Sequence, residues 1–375
     1  MEKLLTEVCA IQYGFPFDSS KFSENEGVPL IRIRDVVRGF SETYTTEEYK
    51  EEYLVHEGDL LIGMDGEFNI AKWGKVPSLL NQRVCRLIPL ENIDKGYLFY
   101  FMPTALKRIE DKTPFVTVKH LSAKELNKVK VPLPSLEEQR KIAAVLDKVS
   151  DLIVKRRQQL KKLDFLVKAR FVEMFGDPVS NPLDWEKVAL SDLADVSIGP
   201  FGSLLHKEDY ILGGHPLVNP SHIIDGKICP DDKLTISDNK YNELEPYHLK
   251  VNDVVMGRRG EMGRCAVVYD SGLLCGTGSL IIRTKGFITA DFLQKILSFP
   301  SFKKTIEDMA VGQTMPNLNV SIVANFQIIK PPLKIQNEYY NFIEKIETAK
   351  STINESLTKL ETLKKALMQE YFEVM

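Results

Sequence analysis

Shifted by 197 residues, the segment Thr117–Phe175 overlays Thr314–Phe372 without a gap, and 14 of 59 positions are identical. Ordinary composition gives about 6% identity per position, or roughly three or four matches. The identities include Leu121/Leu318, Pro134/Pro331, Leu136/Leu333, Gln139/Gln336, Leu160/Leu357, Leu163/Leu360, Leu166/Leu363, Ala169/Ala366 and Phe175/Phe372. Upstream the match continues with shifting offsets. LTEVCAIQYG from Leu5 parallels LSDLADVSIG from Leu190, and GVPLIRIRDVVRG from Gly27 parallels GHPLVNPSHIIDG from Gly214. YLVHEGDLLIGMDG from Tyr53 parallels YHLKVNDVVMGRRG from Tyr247. An internal repeat means two copies of one structural unit. Here the copies keep register in their last segment and differ in loop length before it.

That last segment is a heptad helix in both copies. The first seam runs Ile142, Leu146, Val149, Ile153, Arg156, Leu160, Leu163, Val167, Arg170, Met174. The second runs Tyr339, Ile343, Ile346, Lys350, Ile353, Leu357, Leu360, Lys364, Leu367, Tyr371. Steps of four and three mark a coiled-coil face. The long basic members can reach water from the seam edge. Thirty-three residues of seam make a rod of roughly 50 Å. Two exposed seams in one chain pack most simply on each other. A domain lies between them and must return the chain, so the expected pairing is antiparallel. The alternative is that each helix packs on its own domain. The expected helix-pair interface comprises Ile142, Leu146, Val149, Leu160, Leu163, Ile343, Ile346, Leu357 and Leu360. Prolines before both helices (Pro132, Pro134; Pro331, Pro332) end the preceding strand.

The expected fold class is α+β: two mixed α/β domains separated by two long antiparallel coiled-coil helices, with an internal pseudo-two-fold repeat. The boundaries read 1–133 for the first domain, 134–177 for the first helix, 178–330 for the second domain and 331–375 for the second helix. Expected strands in the first domain are PLIRIRDV, GDLLIGM and QRVCRLIPL; in the second, PLVNPSHII, NDVVMG, GRCAVVY and GSLIIRT. Short helices should follow at GYLFYFMPTALKRIE and ADFLQKILSFPSFKKTIEDM. A turn-rich linker, GDPVSNPLD, precedes WEKVALSDL.

Chemistry is hard to find in these residues. PDDK at Pro230–Lys233 has contiguous acids and reads as a turn rather than a nuclease centre. NPSH at Asn219–His222 lacks the second proline and the aromatic residue of an adenine methyltransferase motif. CGTGSLI at Cys275–Ile281 has two of the three glycines of a dinucleotide loop. No phosphate loop, catalytic triad spacing or zinc pairing stands out. The five scattered cysteines suit idle thiols in a reducing cytoplasm. No apolar run approaches a membrane span, and no secretory leader is evident.

Recognition of nucleic acid is better supported. With a net charge of −3, local patches rather than total charge must supply the phosphate field. Arg32, Arg34 and Arg38 are separated by even numbers of residues, and on a strand Arg32 and Arg34 share a face. Arg258, Arg259 and Arg264 cluster in the glycine-containing stretch MGRRGEMGR. Arginine bridges phosphates or forks onto guanine O6/N7. Gln313, Asn317, Lys119 and His120 fall on matching loop segments. The DNA-binding expectation therefore names Arg32, Arg34, Lys119, Arg258, Arg259, Arg264, Gln313 and Asn317, each against the plainer reading of a solvated surface side chain.

Two variable domains, each followed by a long helix opening P-x-L-x-x-Q, resemble the specificity (S) subunit of a Type I restriction–modification system. Other carriers of the resemblance are MFGDP at Met174–Pro178, W-x-x-x-x-L at Trp185–Leu190, IGPFGSLL at Ile198–Leu205 and GQTMPNLN from Gly312. The first domain departs from the pattern: it lacks the W-x-x-x-x-L start, has GFPFDSS for GPFGS, and has Met64-Asp65 for Arg258-Arg259. The resemblance implies target recognition domains that each read half of a split site in double-stranded DNA. The helix pair would be a ruler and a dock for two methyltransferase (M) subunits. Restriction (R) subunits would join the full complex. S-adenosylmethionine, ATP and Mg²⁺ would belong to those partners, so this chain is expected to be non-catalytic, to bind no cofactor and no membrane, and to work in the cytoplasm. Rival readings are a two-domain protein-binding scaffold without DNA, a stand-alone enzyme, and an orphan S subunit supporting methylation only.

Overall fold

The computed structural model describes residues 2–113, 119–201, 204–260, 262–309 and 317–372. The chain forms two compact units, Met1–Gln159 with Ile353–Met375, and Leu160–Thr352. Each long helix, Leu136–Phe175 and Leu333–Phe372, is 40 residues and contributes one part to each unit.

In the first unit, strand Glu2–Leu4 pairs antiparallel with Lys130–Pro132. An antiparallel sheet follows in the order Cys9–Tyr13, Val84–Pro89, Leu60–Gly63, Asn69–Lys72. A second sheet, of five short strands, contains one parallel pair, Val28–Ile31 with Ser78–Leu80. Helix Lys95–Lys112 buries Tyr97, Leu98, Phe101, Met102 and Leu106 against Leu60, Ile62 and Leu87. The second unit repeats this order. Lys187–Ala189 pairs with Gln327–Ile329, and the sheet runs Ala194–Ile198, Ser279–Thr284, Asp253–Gly257, Cys265–Val267. Its parallel pair is His215–Val218 with Leu274–Cys275. Helices Ala290–Leu297 and Pro300–Met309 take the place of the single helix of the first unit.

Two expected strands are cut short. PLIRIRDV is extended only to Ile31, and Ile33–Arg38 is a helix. Asp35, 1% exposed, accepts the Arg32 backbone N–H at 2.9 Å and closes a capping box, while Gly39 ends the helix at φ 75°. Local capping thus outweighs the alternating pattern, and Arg32 and Arg34 do not share a strand face. PLVNPSHII likewise stops being a strand at Val218, because Pro220 starts a short 3-10 turn, Pro220–His222. PDDK is a turn: Asp231 Oδ1 accepts the Lys233 N–H at 2.9 Å.

The long helices run antiparallel within each unit. In the first, Ile142 and Leu146 share a core with Leu367, Tyr371 and Phe372, and further along Arg157 donates to Glu361 at 2.6 Å. In the second, Lys350 meets Asp164 at 2.8 Å, and the Tyr339 hydroxyl donates to the Val167 carbonyl at 3.2 Å. Val149 is buried; Leu160, Leu163, Ile343, Ile346, Leu357 and Leu360 are half-buried, and most of their neighbours along the helices are exposed.

Gln139 and Gln336 explain the P-x-L-x-x-Q openings. Gln139 is fully buried; its amide oxygen accepts the Asp94 N–H at 2.8 Å and its amide nitrogen donates to the Pro134 carbonyl at 3.0 Å. Gln336 does the same with Thr289 (2.9 Å) and Pro331 (2.8 Å). Asp94 and Thr289 are themselves N-caps of the domain helices. Each glutamine therefore clips the start of a long helix to the start of a domain helix. Gln139→Ala should cost about 1–3 kcal/mol through the buried amide and carbonyl it orphans. A urea midpoint shift at constant m-value measures this; a change below about 0.5 kcal/mol would reduce the clip to a surface-like contact.

Candidate nucleic-acid interface

In the second unit, five chain segments meet at the ends of the sheet strands. Gly199, just past strand Ala194–Ile198, donates to the Ser279 carbonyl at 3.1 Å. A Cβ on Gly199 would overlap the Gly276 carbonyl oxygen, and one on Gly276 would overlap the Asn219 side chain. These glycines are needed because backbones touch there. Gly276 N–H donates to Val218 (3.0 Å), Arg258 N–H to Gly278 (2.9 Å), and Leu318 N–H to Arg258 (3.0 Å). The side chains gathered this way are Phe201, 58% exposed, Asn219, Arg258, Arg259, Thr277 and Asn317. Arg259 is exposed, whereas Arg258 is 8% exposed. Burial, and then the charge of Arg259, lower the Arg258 pKa from its ordinary value.

The first unit builds the same junction from other residues. A Cβ on Gly14 would overlap the Asn81 carbonyl oxygen. Met64 N–H donates to Arg83 (3.0 Å), and Leu121 N–H donates to Met64 (2.7 Å). Asp65 lies between the Arg83 guanidinium, 3.6 Å away, and the His120 ring, to which it hydrogen-bonds. Helix Ile33–Arg38 packs on the hairpin of Leu60–Gly63 and Asn69–Lys72. It carries Arg32 at its N-cap, Arg34 near Asp35 (3.7 Å) and Arg38 near Glu42 (3.5 Å), all exposed.

The sequence-derived candidates divide accordingly. Arg258, Arg259 and Asn317 come together, and Arg32 and Arg34 sit on one short helix. Lys119 is turned back, its ammonium donating to the Glu110 carbonyl at 3.0 Å and so satisfying the end of helix Lys95–Lys112. Arg264 leaves the cluster: its backbone pairs with Gly257 and its guanidinium donates to the Ile223 carbonyl at 3.3 Å. Gln313 lies outside the described residues. Sequence reasoning missed Arg83, Asp65, Phe201, Asn219 and Thr277. Pairing NQR at Asn81–Arg83 with GTG at Gly276–Gly278 would have found two of these places. Arginine and asparagine can fork onto purine edges, and aspartate can accept from cytosine N4. Among the described residues no group of three or more His, Cys, Asp or Glu could hold a metal ion. None of the described helices is long and apolar enough to cross a membrane.

A family model described as the Type I restriction modification DNA specificity domain matches residues 1–162 and again residues 182–365. The chain belongs to this family. It is 27% identical over 402 residues to the Type I restriction enzyme EcoBI specificity subunit of Escherichia coli, covering 98% of this chain and 84% of that one. The crystal structure of the Type I restriction–modification S subunit from M. genitalium has the same fold, with TM-score 0.60, 13% identity, and coverage of 99% of this chain and 96% of that one. A chain from a structure on complex assembly and conformational transition of the type I R-M system gives TM-score 0.63 and 18% identity, with coverage of 99% and 96%. As a specificity subunit, the chain supplies DNA recognition and not catalysis. The two matched segments each contain one of the junctions described above.

Proposed function

We propose that domains 1–133 and 178–330 each read one half of a bipartite site in double-stranded DNA. Helices 134–177 and 331–375 set the spacing between the halves and dock two methyltransferase subunits. Restriction subunits complete the assembly, which works in the cytoplasm. The observation that carries this reading is the pair of junctions. Both use the same backbone bonds at the same strand ends, yet one presents Asp65, Arg83 and His120 and the other Arg258, Arg259 and Asn317. A constant scaffold with exchanged polar side chains suits two readers of different sequences. The helices, about 60 Å long at 1.5 Å per residue, suit a spacer of between one and two turns of DNA at ~34 Å per turn.

Methylome sequencing tests it. A strain expressing this chain together with a Type I methyltransferase subunit should show adenine methylation at a split motif, two short halves around a fixed gap, and deleting the gene for this chain should abolish it. An identical methylome in both strains would reject the half-site reading.

A further inference from the structure

Among the described residues, Arg258 is a cation without a counter-charge. It is 8% exposed, its Nε is buried with no hydrogen-bond partner, and it makes no ion pair among the described residues. The exposed Arg259 beside it adds like charge. Asn317, held alongside by the Leu318-to-Arg258 backbone bond, has a buried Oδ1 that is also without a partner. Arginines with structural roles in this unit look different: Arg283 grips the buried Asp253 through two bonds of 2.8 and 2.6 Å. A buried, unpaired charge costs stability, as does an orphaned buried acceptor. The fold does not need a charge there either. The same position in the first unit is Met64, 5% exposed, whose N–H makes the equivalent bond to Arg83.

We propose that Arg258 and Asn317 are the specificity-determining residues of the second domain, contacting a base edge, with the Arg258 guanidinium on guanine. This rests on the reading of the domain as a half-site reader. The terminal nitrogens of the guanidinium match guanine O6 and N7, and the Asn317 amide nitrogen donates to an acceptor on the base edge. Arg259, exposed and making no ion pair among the described residues, meets phosphate. DNA thus supplies acceptors for the guanidinium of a cation that has no ion-pair partner among the described residues, and the cost of burying that cation unpaired is borne by the remainder of the fold.

The test is Arg258→Met in the full chain, copying what the first unit has at this position. Methylomes are read with the methyltransferase partner present, and melting is followed on the full chain. The expected result is a split motif relaxed at one position of one half, the other half unchanged, and a melting temperature equal to or above that of the parent. Arg259→Met is the control: it should keep the motif, weaken binding on all sequences, and lower the salt slope by about 1. If Arg258→Met keeps the motif, the proposal is overturned, and a smaller salt slope would then make Arg258 a phosphate contact. A lower melting temperature would make Arg258 structural and also overturn it. If methylation vanishes with melting unchanged, Asn317→Ala decides: relaxation in the same half supports the proposal, and any other result overturns it. A parent strain with no split motif would instead refute the half-site reading itself.

Discussion

Phe372→Ala should open the first unit while leaving the second folded. Phe372 is 1% exposed and lies three residues from the chain's end, yet it sits in the core of the first unit, its ring 5.3 Å from Tyr97 and 5.9 Å from Phe101. Truncating a buried phenylalanine costs about 3–5 kcal/mol, because the transfer energy is lost and the cavity collapses only in part. The neighbours are rings on a helix already fixed by the Asp94 cap and the Gln139 clip, so little collapse is available. Native-state hydrogen exchange should show the amides of Leu60–Gly63 and of residues 84–88 losing about two to four powers of ten in protection. Phe175→Ala, at the matching place 197 residues earlier, should do the same to the second unit, where Phe175 packs on Phe292 at 4.6 Å and Tyr339 at 5.4 Å. Equal loss of protection in both units from either substitution would refute this division of cores.

Exchanging residues 180–330 for the same region of a relative with a different target should change one half of the recognised site and leave the other intact. The structure makes this segment a cassette. Its two ends lie side by side, since Lys187–Ala189 pairs with Gln327–Ile329 and the Lys330 N–H donates to the Glu186 carbonyl at 2.8 Å. The junction residues from Gly199 to Asn317 all travel with it. What stays behind is the aromatic plug of Phe171, Phe175 and Tyr339, so the donor must bring a pocket of similar shape, as Phe292 and Phe299 provide here. Motif sequencing of the hybrid gives the answer. A change in both halves would mean that the two domains do not read independently.

The parts of the fold legible in the chain are those with a local cause. Heptad steps, prolines ahead of the helices and the gapless repeat follow from one stretch of sequence read by itself or against its copy. The seam of Ile142, Leu146 and Val149 is buried where the heptad places it. Where local rules compete, the weaker pattern was the more visible: the alternation in PLIRIRDV suggested a strand, while the single carboxylate of Asp35 formed the cap that made a helix. The candidate site was less legible. Arg258, Arg259 and Asn317 were visible as arginine and amide clusters, but Arg83 stood alone in NQRV, and nothing near Lys119 announced the Glu110 carbonyl that holds it.

The sequence by itself determined that there are two copies of one domain-and-helix unit and that each long helix follows a proline, because periodicity and proline act over a few residues; the heptad seam, 33 residues long, falls short of the 40-residue helices. Only the tertiary structure decided which polar side chains share a surface. Those meetings, of Gly199 with Gly276, Arg258 with Leu318 and Phe372 with Tyr97, join segments tens to hundreds of residues apart, through close backbone approach and ring packing that leave no periodic trace along the chain.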